Sequence, residues 1–197
     1  METRARILAA GREVFESRGY EGGTTNHIAE AASMSVGSLY QYFPNKDAIL
    51  VDLMAEHIAE GAARITSVLA DEVGVDGPLR VLVRGALREL LSLHREEPVL
   101  HHVLMTRTPL TPDLVAKLAQ VEEDAVGHLA TLFDAHPEVR VSDPKVAAKM
   151  VGLTVNALVH AQVGTLHPPL DDPALIDEAT EMLTAYLHGP GNRTAAN

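Results

Sequence analysis

Apolar residues recur every three or four positions along most of this 197-residue chain, and this spacing limits its fold more than any other feature. The first segment shows it at Ile7, Ala10, Gly11, Val14 and Phe15, which would share one face of a helix. No stretch alternates apolar and polar residues with the β-branched enrichment typical of strands, so the sequence predicts no sheet. We therefore expect an all-α protein of about nine helices.

Glycine, proline and capping residues divide this pattern into helices. Gly19 supplies a left-handed residue after the first helix, and Thr24 or Thr25 can cap the second. Ser35 can cap the third, and Pro44 suits the first turn of the segment that follows. The remaining helices are predicted over Lys46 to about Leu69, Leu79–Glu97, Val99–Thr106, Asp113–His136, Pro144 to about Leu166, and Asp172–Leu187.

Composition separates the first part of the chain from the rest. Five of the seven aromatic residues lie within the first 43 positions. Residues 1–50 carry five basic and six acidic side chains, a net charge of −1, whereas the whole chain carries −11, which leaves −10 for the other 147 residues. We predict a tri-helical domain over residues 1–48, a second helical domain over residues 49–188, and a flexible tail over residues 189–197.

Several classes of function are excluded by what the sequence lacks. It has no cysteine, which excludes disulfide scaffolds, thiol catalysis and iron–sulfur clusters. It carries no nucleophile elbow, phosphate-binding loop, zinc-binding histidine pair or dinucleotide fingerprint, so we expect neither an enzyme nor a cofactor. No apolar run approaches the roughly 18 residues of a membrane span and no secretory signal opens the chain, so we expect a cytoplasmic protein with no membrane partner.

Residues 25–43 carry the strongest functional signal, because they encode a short helix, a turn and a second short helix. This is a helix-turn-helix arrangement, whose second helix enters the major groove of DNA. On that second helix the predicted inward residues are Val36, Leu39 and Phe43, and the outward residues are Gly37, Ser38, Gln41 and Tyr42, with Tyr40 at the edge. A plain packing unit with core tyrosines is the alternative interpretation.

This motif resembles that of the TetR family of bacterial transcriptional repressors. The resemblance rests on residues 28–32 (IAEAA) and 36–46 (VGSLYQYFPNK), preceded by Phe15 and Gly19-Tyr20. Ser33 stands at the turn position that the family usually fills with glycine, and no basic arm precedes the first helix. The resemblance implies operator DNA as a partner, with contacts from Thr25, Asn26, Ser35, Val36, Gly37, Ser38, Tyr40, Gln41, Tyr42 and Lys46.

The segment from Val146 to Val163 is apolar nearly all round, so as a helix it needs burial on two sides. One side can contact its own domain, and the other can contact the same helix of a second subunit, together with the last helix. The family resemblance implies the same homodimer, and a buried hairpin inside a monomer is the alternative. The predicted interface consists of Met150, Leu153, Ala157, His160, Ala161, Ala179, Met182, Leu183 and Tyr186.

The helices between Leu79 and His136 would surround an effector cavity, according to the family plan. Their candidate ligand-binding side chains are His94, His101, His102, Met105 and His128. Adjacent histidines on a helix point about 100° apart and no carboxylate lies at ligand spacing beside them, so we predict no metal site. With only Phe133 and Tyr186 as aromatic residues beyond position 43, we expect a largely aliphatic small-molecule effector.

Together these features predict a homodimeric, ligand-responsive repressor that leaves a palindromic operator when its effector binds. The helix that begins at Lys46 would couple the two domains by favouring one spacing of the two DNA-binding motifs over another. Two alternatives stay open: an enzyme, and a carrier or interaction module that has kept the fold and lost DNA binding.

Overall fold

The computed structural model describes residues 2–71, 77–163 and 169–189, and within these ranges the chain forms helices and no strand. The helices are α1 (Glu2–Gly22), α2 (Thr25–Ala31), α3 (Val36–Tyr40), α4 (Lys46–Asp71), α5 (Leu79–Glu96), α6 (Pro98–Arg107), α7 (Pro112–Ala135), α8 (Pro144–Val163) and α9 (Asp172–Leu187). These helices confirm the all-α prediction. The predicted helix end near Leu166 and tail residues 190–197 lie outside the described residues.

Short capping motifs set the starts of α2 and α3, as predicted. Thr24 caps α2, since its Oγ1 accepts a hydrogen bond from the backbone N–H of His27 at 3.2 Å. Ser35 caps α3 in the same way, through the N–H of Ser38 at 3.1 Å. Each cap satisfies one of the N–H groups that a helix start leaves without a partner, typically worth about 1 kcal/mol.

The turn between α2 and α3 places Ser33 in the left-handed region, with a φ of 53°. The backbone N–H of Met34 closes the turn by donating to the carbonyl of Ala29 at 2.9 Å. A residue with a side chain pays roughly 1–2 kcal/mol for this conformation. Ala29 and Ala32, which flank the turn, are both buried, so the packing of α2 holds the conformation in place. Ser33 thus adopts a conformation that favours glycine, the residue that the resemblance leads one to expect at this turn position.

One compact unit, here unit 1, consists of Met1–Glu60 and Arg95–Gln120. Its core is formed by buried apolar side chains from α1, α2, α3, α4, α6 and the start of α7. At Gly11 of α1, a Cβ atom would lie 2.9 Å from Cγ2 of Ile49 on α4. The close approach of these two helices therefore depends on the missing side chain at Gly11, because interiors are packed too tightly to absorb a methyl group there.

Polar contacts fasten α6 to α1 within unit 1. Arg12 of α1 pairs with Glu97, the residue before α6, at 2.5 Å, and with Glu60 of α4 at 3.4 Å. Glu16 accepts the backbone N–H of Leu100, in the first turn of α6, at 2.6 Å. A carboxylate at a helix start is favoured by the helix dipole as well as by the hydrogen bond. α1 is thus held by side chains that reach it from two other helices.

The second compact unit, unit 2, consists of Gly61–His94 and Val121–Asn197. Buried apolar side chains of α5, α7, α8 and α9 form its core. Gln162, buried near the end of α8, donates from its amide to the carbonyl of Leu170 at 2.6 Å and to Asp172 at 2.7 Å. Its amide oxygen accepts the N–H of Leu170 at 3.0 Å. This one side chain ties the start of α9 to the end of α8.

The domain boundary predicted between residues 48 and 49 falls within α4, and it stays a prediction.

Replacing Gly23 with alanine is expected to destabilise unit 1. A Cβ atom there would lie 2.7 Å from Cδ1 of Phe15 and 2.9 Å from the carbonyl oxygen of Gly19, and Phe15 is fully buried. Overpacking of this kind costs about 1–3 kcal/mol, so thermal unfolding followed by circular dichroism should show a Tm lower by roughly 3–10 °C.

The matched control is Gly127→Ala. Gly127 lies in α7 with no atom within 4 Å of a Cβ built there, so alanine should raise the stability by about 0.5–1 kcal/mol. A Gly23→Ala variant as stable as the unsubstituted protein would show that the turn has room for a methyl group.

Candidate nucleic-acid interface

The α2–turn–α3 motif turns one face to the core of unit 1 and the other to solvent. Ile28 and Ala29 of α2 are buried, and so are Leu39 of α3 and Phe43 just after it. The predicted inward positions of Leu39 and Phe43 are confirmed. Because these two side chains fix the rotation of α3, the positions between them face away from the core.

The predicted inward position of Val36 is wrong, since this side chain is 37% exposed. Val36 is the first residue of α3, and the Cα–Cβ bonds of a helix tilt toward its N-terminus. The side chain therefore extends past the first turn instead of over the core. Its two methyl groups join the outward surface of the motif.

The ten residues predicted to contact DNA all keep solvent-accessible surface. Tyr40 and Tyr42 are 51% and 43% exposed, so neither is a core tyrosine. Of the others, Thr25, Ser38 and Lys46 are half-buried, and the exposed ones are Asn26, Ser35, Val36, Gly37 and Gln41. Their contact with DNA stays a prediction.

Two pairs of hydroxyl groups order this surface. The Tyr40 hydroxyl lies 3.2 Å from Oγ1 of Thr25, which joins α3 to the start of α2. The hydroxyls of Ser35 and Ser38 lie 2.9 Å apart, next to the cap of α3. Hydroxyl groups can both donate and accept, so each pair can offer a donor to a phosphate oxygen while keeping its internal contact.

Lys46 is held in place by Tyr20, a contact that sequence reasoning missed because 26 residues separate the two. The Lys46 ammonium donates to the Tyr20 carbonyl at 2.7 Å and lies 3.7 Å from the centre of the Tyr20 ring. The Tyr20 hydroxyl in turn donates to Asp47 at 2.7 Å. That hydrogen bond, helped by burial, raises the pKa of the Tyr20 phenol. The cation predicted to contact a phosphate is thus positioned at the start of α4.

The predicted effector-binding residues fall in both units. In unit 1, His101 is buried while His102 and Met105 are exposed. In unit 2, His94 is buried and His128 is exposed. Their role in binding an effector stays a prediction.

Each unit also contains a pair of histidines from different helices, which the sequence did not predict. In unit 1 the rings of His57 on α4 and His101 on α6 have centroids 5.4 Å apart, with a ring nitrogen of each within 4.8 Å of the other. In unit 2 the rings of His94 on α5 and His160 on α8 meet edge to face at 5.0 Å. The two imidazoles of each pair are candidate metal ligands within their unit.

The environment of the unit 2 pair favours neutral imidazoles. Burial lowers the pKa of His94 below the ordinary histidine value, in spite of the hydrogen bond that its Nδ1–H donates to the Leu90 carbonyl at 2.6 Å. Burial also lowers the pKa of His160, and the neighbouring His94 lowers it further. Near pH 7 the pair therefore offers hydrogen-bonding groups without positive charge.

The predicted dimer residues divide into an exposed stripe and a buried set. Met150 and Leu153 on α8 are 51% and 52% exposed, and Met182 on α9 is 49% exposed. Ala157, Ala161 and Tyr186 are also exposed and His160 is half-buried, whereas Ala179 and Leu183 belong to the core of unit 2. Contact of this stripe with a second subunit stays a prediction.

Among the described helices, α8 alone is long and apolar enough to cross a membrane by length and composition. The sequence by itself predicts no such segment, because polar residues interrupt α8 and keep any continuous apolar run short. Core helices of soluble proteins meet the same criterion. Lys145 and Lys149 of α8 pair with Glu123 and Glu122 of α7 at 2.5 and 3.3 Å, which anchors its first half to a neighbouring helix.

Two family models match the chain. Residues 78–187 match the model for the tetracyclin repressor-like C-terminal domain, which is more than half of the sequence. Residues 7–53, which contain α2 and α3, match the model for bacterial regulatory proteins of the tetR family.

Individual relatives are more distant. The chain is 26% identical over 147 residues to the HTH-type transcriptional regulator TcmR of Streptomyces glaucescens. This match covers 72% of this chain and 63% of TcmR, which is less than two thirds of that relative. A TetR-family transcriptional regulator from Mesorhizobium loti MAFF303099 has a similar fold, with a TM-score of 0.72 at 19% identity over 94% of this chain and 95% of that one. AibR, solved with isovaleryl coenzyme A and operator DNA, gives a TM-score of 0.63 at 21% identity over 92% and 98%.

The stability of unit 2 is expected to fall as the pH drops below about 6.5, the ordinary pKa of histidine. Because His94 and His160 have pKa values lowered by folding, the unfolded chain binds more protons in this range. Their contribution is complete above the unfolded pKa of about 6.5 and is lost as the pH falls from there through the lower pKa values of the folded state. His94→Gln should reduce the drop in Tm between about pH 7.5 and pH 5.5, measured by circular dichroism.

His128→Gln serves as the control, since His128 is an exposed histidine of the same unit. It should leave the pH dependence of Tm unchanged. Identical pH profiles for the two variants would mean that the His94–His160 pair does not titrate differently in the folded and unfolded states.

Proposed function

The chain belongs to the TetR family of bacterial regulatory proteins, a family of DNA-binding transcriptional regulators and not of enzymes, and from this we propose that it is a homodimeric repressor released from a palindromic operator by a small-molecule effector. One observation carries the proposal: buried Leu39 and Phe43 leave the outward face of α3 accessible for a major groove. A carrier module that had lost DNA binding would have no need of this accessible face.

At the operator, α3 enters the major groove and the surrounding polar groups hold the phosphates. Tyr42 is exposed just after α3, and its hydroxyl can donate to a phosphate oxygen. Lys46 stands at the start of α4, where its ammonium and the backbone N–H groups of the first turn can share one phosphate. These contacts set the orientation of α3 without reading sequence.

The second subunit covers the exposed stripe on α8 and α9. Met150, Leu153, Ala157 and Ala161 repeat every three or four residues along α8, and Met182 and Tyr186 are four residues apart on α9. Two helices from each subunit would then form a four-helix interface about a two-fold axis. The same axis relates two α3 helices to the half-sites of a palindrome, about 34–36 Å or a multiple of it apart. This interface accounts for the apolar surface of α8 without a bilayer, and we place the protein in the cytoplasm.

The effector is a small molecule with a largely aliphatic body. AibR, a protein of similar fold, was solved with isovaleryl coenzyme A, which supports a small-molecule ligand. In unit 2 the paired imidazoles of His94 and His160 offer neutral hydrogen-bonding groups among apolar side chains, which suits a polar group on such a ligand.

The effector signal reaches the DNA-binding motif through α4, which begins at Lys46 within the proposed interface and ends at Asp71. A ligand that favours a different position of α4 shifts α1 with it, because Gly11 of α1 lies close to Ile49 of α4. The motif that packs on α1 then moves as well, so the predicted coupling route through α4 is part of this proposal.

Tyr42→Phe and Lys46→Ala are expected to weaken DNA binding by roughly 5- to 50-fold each, because each removes a phosphate contact from both half-sites. The loss should be similar on the operator and on an unrelated duplex, since phosphates carry no sequence. The measurement is fluorescence anisotropy with an inverted repeat enriched from fragmented host DNA at near-physiological salt.

Lys117→Ala, which removes an exposed lysine of α7, is the control and should bind the repeat normally. Failure of the full-length protein to enrich any duplex, while folded and dimeric, would favour the carrier module over the repressor.

Leu153→Glu is expected to convert the dimer to a monomer, because it places a charge at the centre of the exposed stripe of α8. Sedimentation velocity at micromolar concentration measures the change in mass. Val115→Glu tests the matched case, since Val115 on α7 is similarly exposed at 48% and lies outside the stripe. Loss of the dimer in both variants, or in neither, would contradict the proposed interface.

A further inference from the structure

The helix-turn-helix motif contains no lysine or arginine, since none occurs among residues 19–45. The acidic side chains among residues 19–45 are Glu21 and Glu30, and the range also contains one histidine, His27. The outward surface around α3, which we call the reading surface, consists of Val36, Gly37, Tyr40, Gln41 and Tyr42 and is therefore uncharged at neutral pH.

This composition limits which bases the reading surface can recognise. Guanine is most often read by Arg or Lys, which donate to its O6 and N7 atoms. The reading surface has no such group. Gln41 carries a side-chain amide, which pairs with the N6 and N7 atoms of adenine, and Val36 carries methyl groups, which suit the methyl of thymine.

Two of the arginines of α1 are engaged elsewhere in unit 1. Arg4 pairs with Asp52 and lies over the Phe43 ring, 4.5 Å from its centroid. Arg12 pairs with Glu97 and Glu60. These arginines hold helices together, which leaves few positive charges for a phosphate backbone.

The cations of residues 1–60 that remain are Arg6, Arg18 and Lys46. Arg6 and Arg18 are exposed and form no ion pair within the part of the chain that the structure describes. The Lys46 ammonium contacts an uncharged carbonyl and a ring, so it keeps its charge for a phosphate.

We propose that each protomer reads its half-site through A·T base pairs, with Gln41 on adenine and Val36 against a thymine methyl, and that few counterions are released on binding. This inference rests on the proposed function, because it assumes that α3 enters a major groove. It goes further by naming the base pairs recognised and the residues that recognise them.

Selection from a randomised duplex library with the full-length protein tests the base preference. The expected product is an inverted repeat whose most restricted positions are A·T pairs. An inverted repeat whose most restricted positions are guanines would overturn this inference and leave the proposed function intact. No enriched repeat would overturn both.

Single substitutions assign the contacts. Gln41→Ala should reduce discrimination at one A·T pair in each half-site by about 5- to 150-fold and leave the other positions unchanged. Gln120→Ala, which truncates an exposed glutamine on α7, should leave discrimination at every position unchanged. A Gln41→Ala protein with the original sequence preference would exclude Gln41 as the adenine-reading residue.

Val36 is tested with a modified operator. Replacing the contacted thymines by deoxyuridine removes one methyl group each and should weaken binding of the unsubstituted protein about fourfold per half-site. Val36→Ala should be insensitive to the replacement. Equal sensitivity in both proteins would show that the thymine methyl contacts another residue.

The salt dependence supplies an independent measurement. One phosphate contact from Lys46 in each subunit gives a slope of about −2 in a plot of log K against log salt, and adding Arg6 and Arg18 gives about −5. A slope in this range supports the inference. A slope steeper than about −7 would require cations that the motif and its flanks do not have, and would overturn the low counterion release.

Discussion

The burial of Leu39 and Phe43 is the constraint on which the proposed DNA interface depends. These side chains are 0% and 1% exposed, so α3 cannot rotate about its axis without opening the core of unit 1. Everything that α3 presents outward follows from that one fixed rotation: Gln41 and Tyr42 lie between the two anchors in the sequence and therefore face solvent. A helix of five residues has too little intrinsic stability to hold this geometry alone, and its caps at Ser35 and its two anchors replace the stability that length would give.

The arginines that hold the helices of unit 1 together are different side chains from those proposed to bind DNA. A net charge of −11 opposes indiscriminate attraction to DNA, and Arg4 and Arg12 of α1 pair with carboxylates of their own unit. Arg4 and Arg12 thereby contribute to the packing of α1 against α4 and α6 instead of to a basic surface. Hydroxyl groups and backbone amides are left to contact phosphates, and such groups bind well only when they are already ordered. The contacts of Tyr40 with Thr25 and of Lys46 with Tyr20 supply that order.

Local features of the sequence predicted the helices and their caps. Contacts between residues that are far apart in the chain could not be predicted from it. Periodicity is a property of neighbouring residues, so Leu39 and Phe43 could be assigned to the core from spacing. Ser35 could be assigned as a cap from its residue type, and the cap of α2 to either Thr24 or Thr25. Val36 was misplaced because a periodic pattern ignores the tilt of side chains at a helix start. The Lys46–Tyr20 contact and the His94–His160 pair join residues far apart in the chain, and no local pattern encodes them. The helix-turn-helix motif is encoded by neighbouring residues and could be predicted in the same way, whereas the residues of an effector site that joins distant helices stay a prediction.

The two kinds of contact around α1 differ in how readily they rearrange, and this difference determines how a signal could pass. The crossing of α1 and α4 at Gly11 is apolar and closely packed, so these helices move as one body. Arg12 of α1 also forms ion pairs with Glu97 and Glu60, and these side chains keep about a third of their surface exposed, whereas the apolar side chains of α6 lie in the same buried core as those of α1. Ion pairs at that exposure contribute about 0–1 kcal/mol each, so exchanging them changes the free energy little. A displacement of α4 would therefore be passed to α1 by their apolar contact and not by these ion pairs, and through the core around Leu39 and Phe43 it would change the presentation of α3 to DNA.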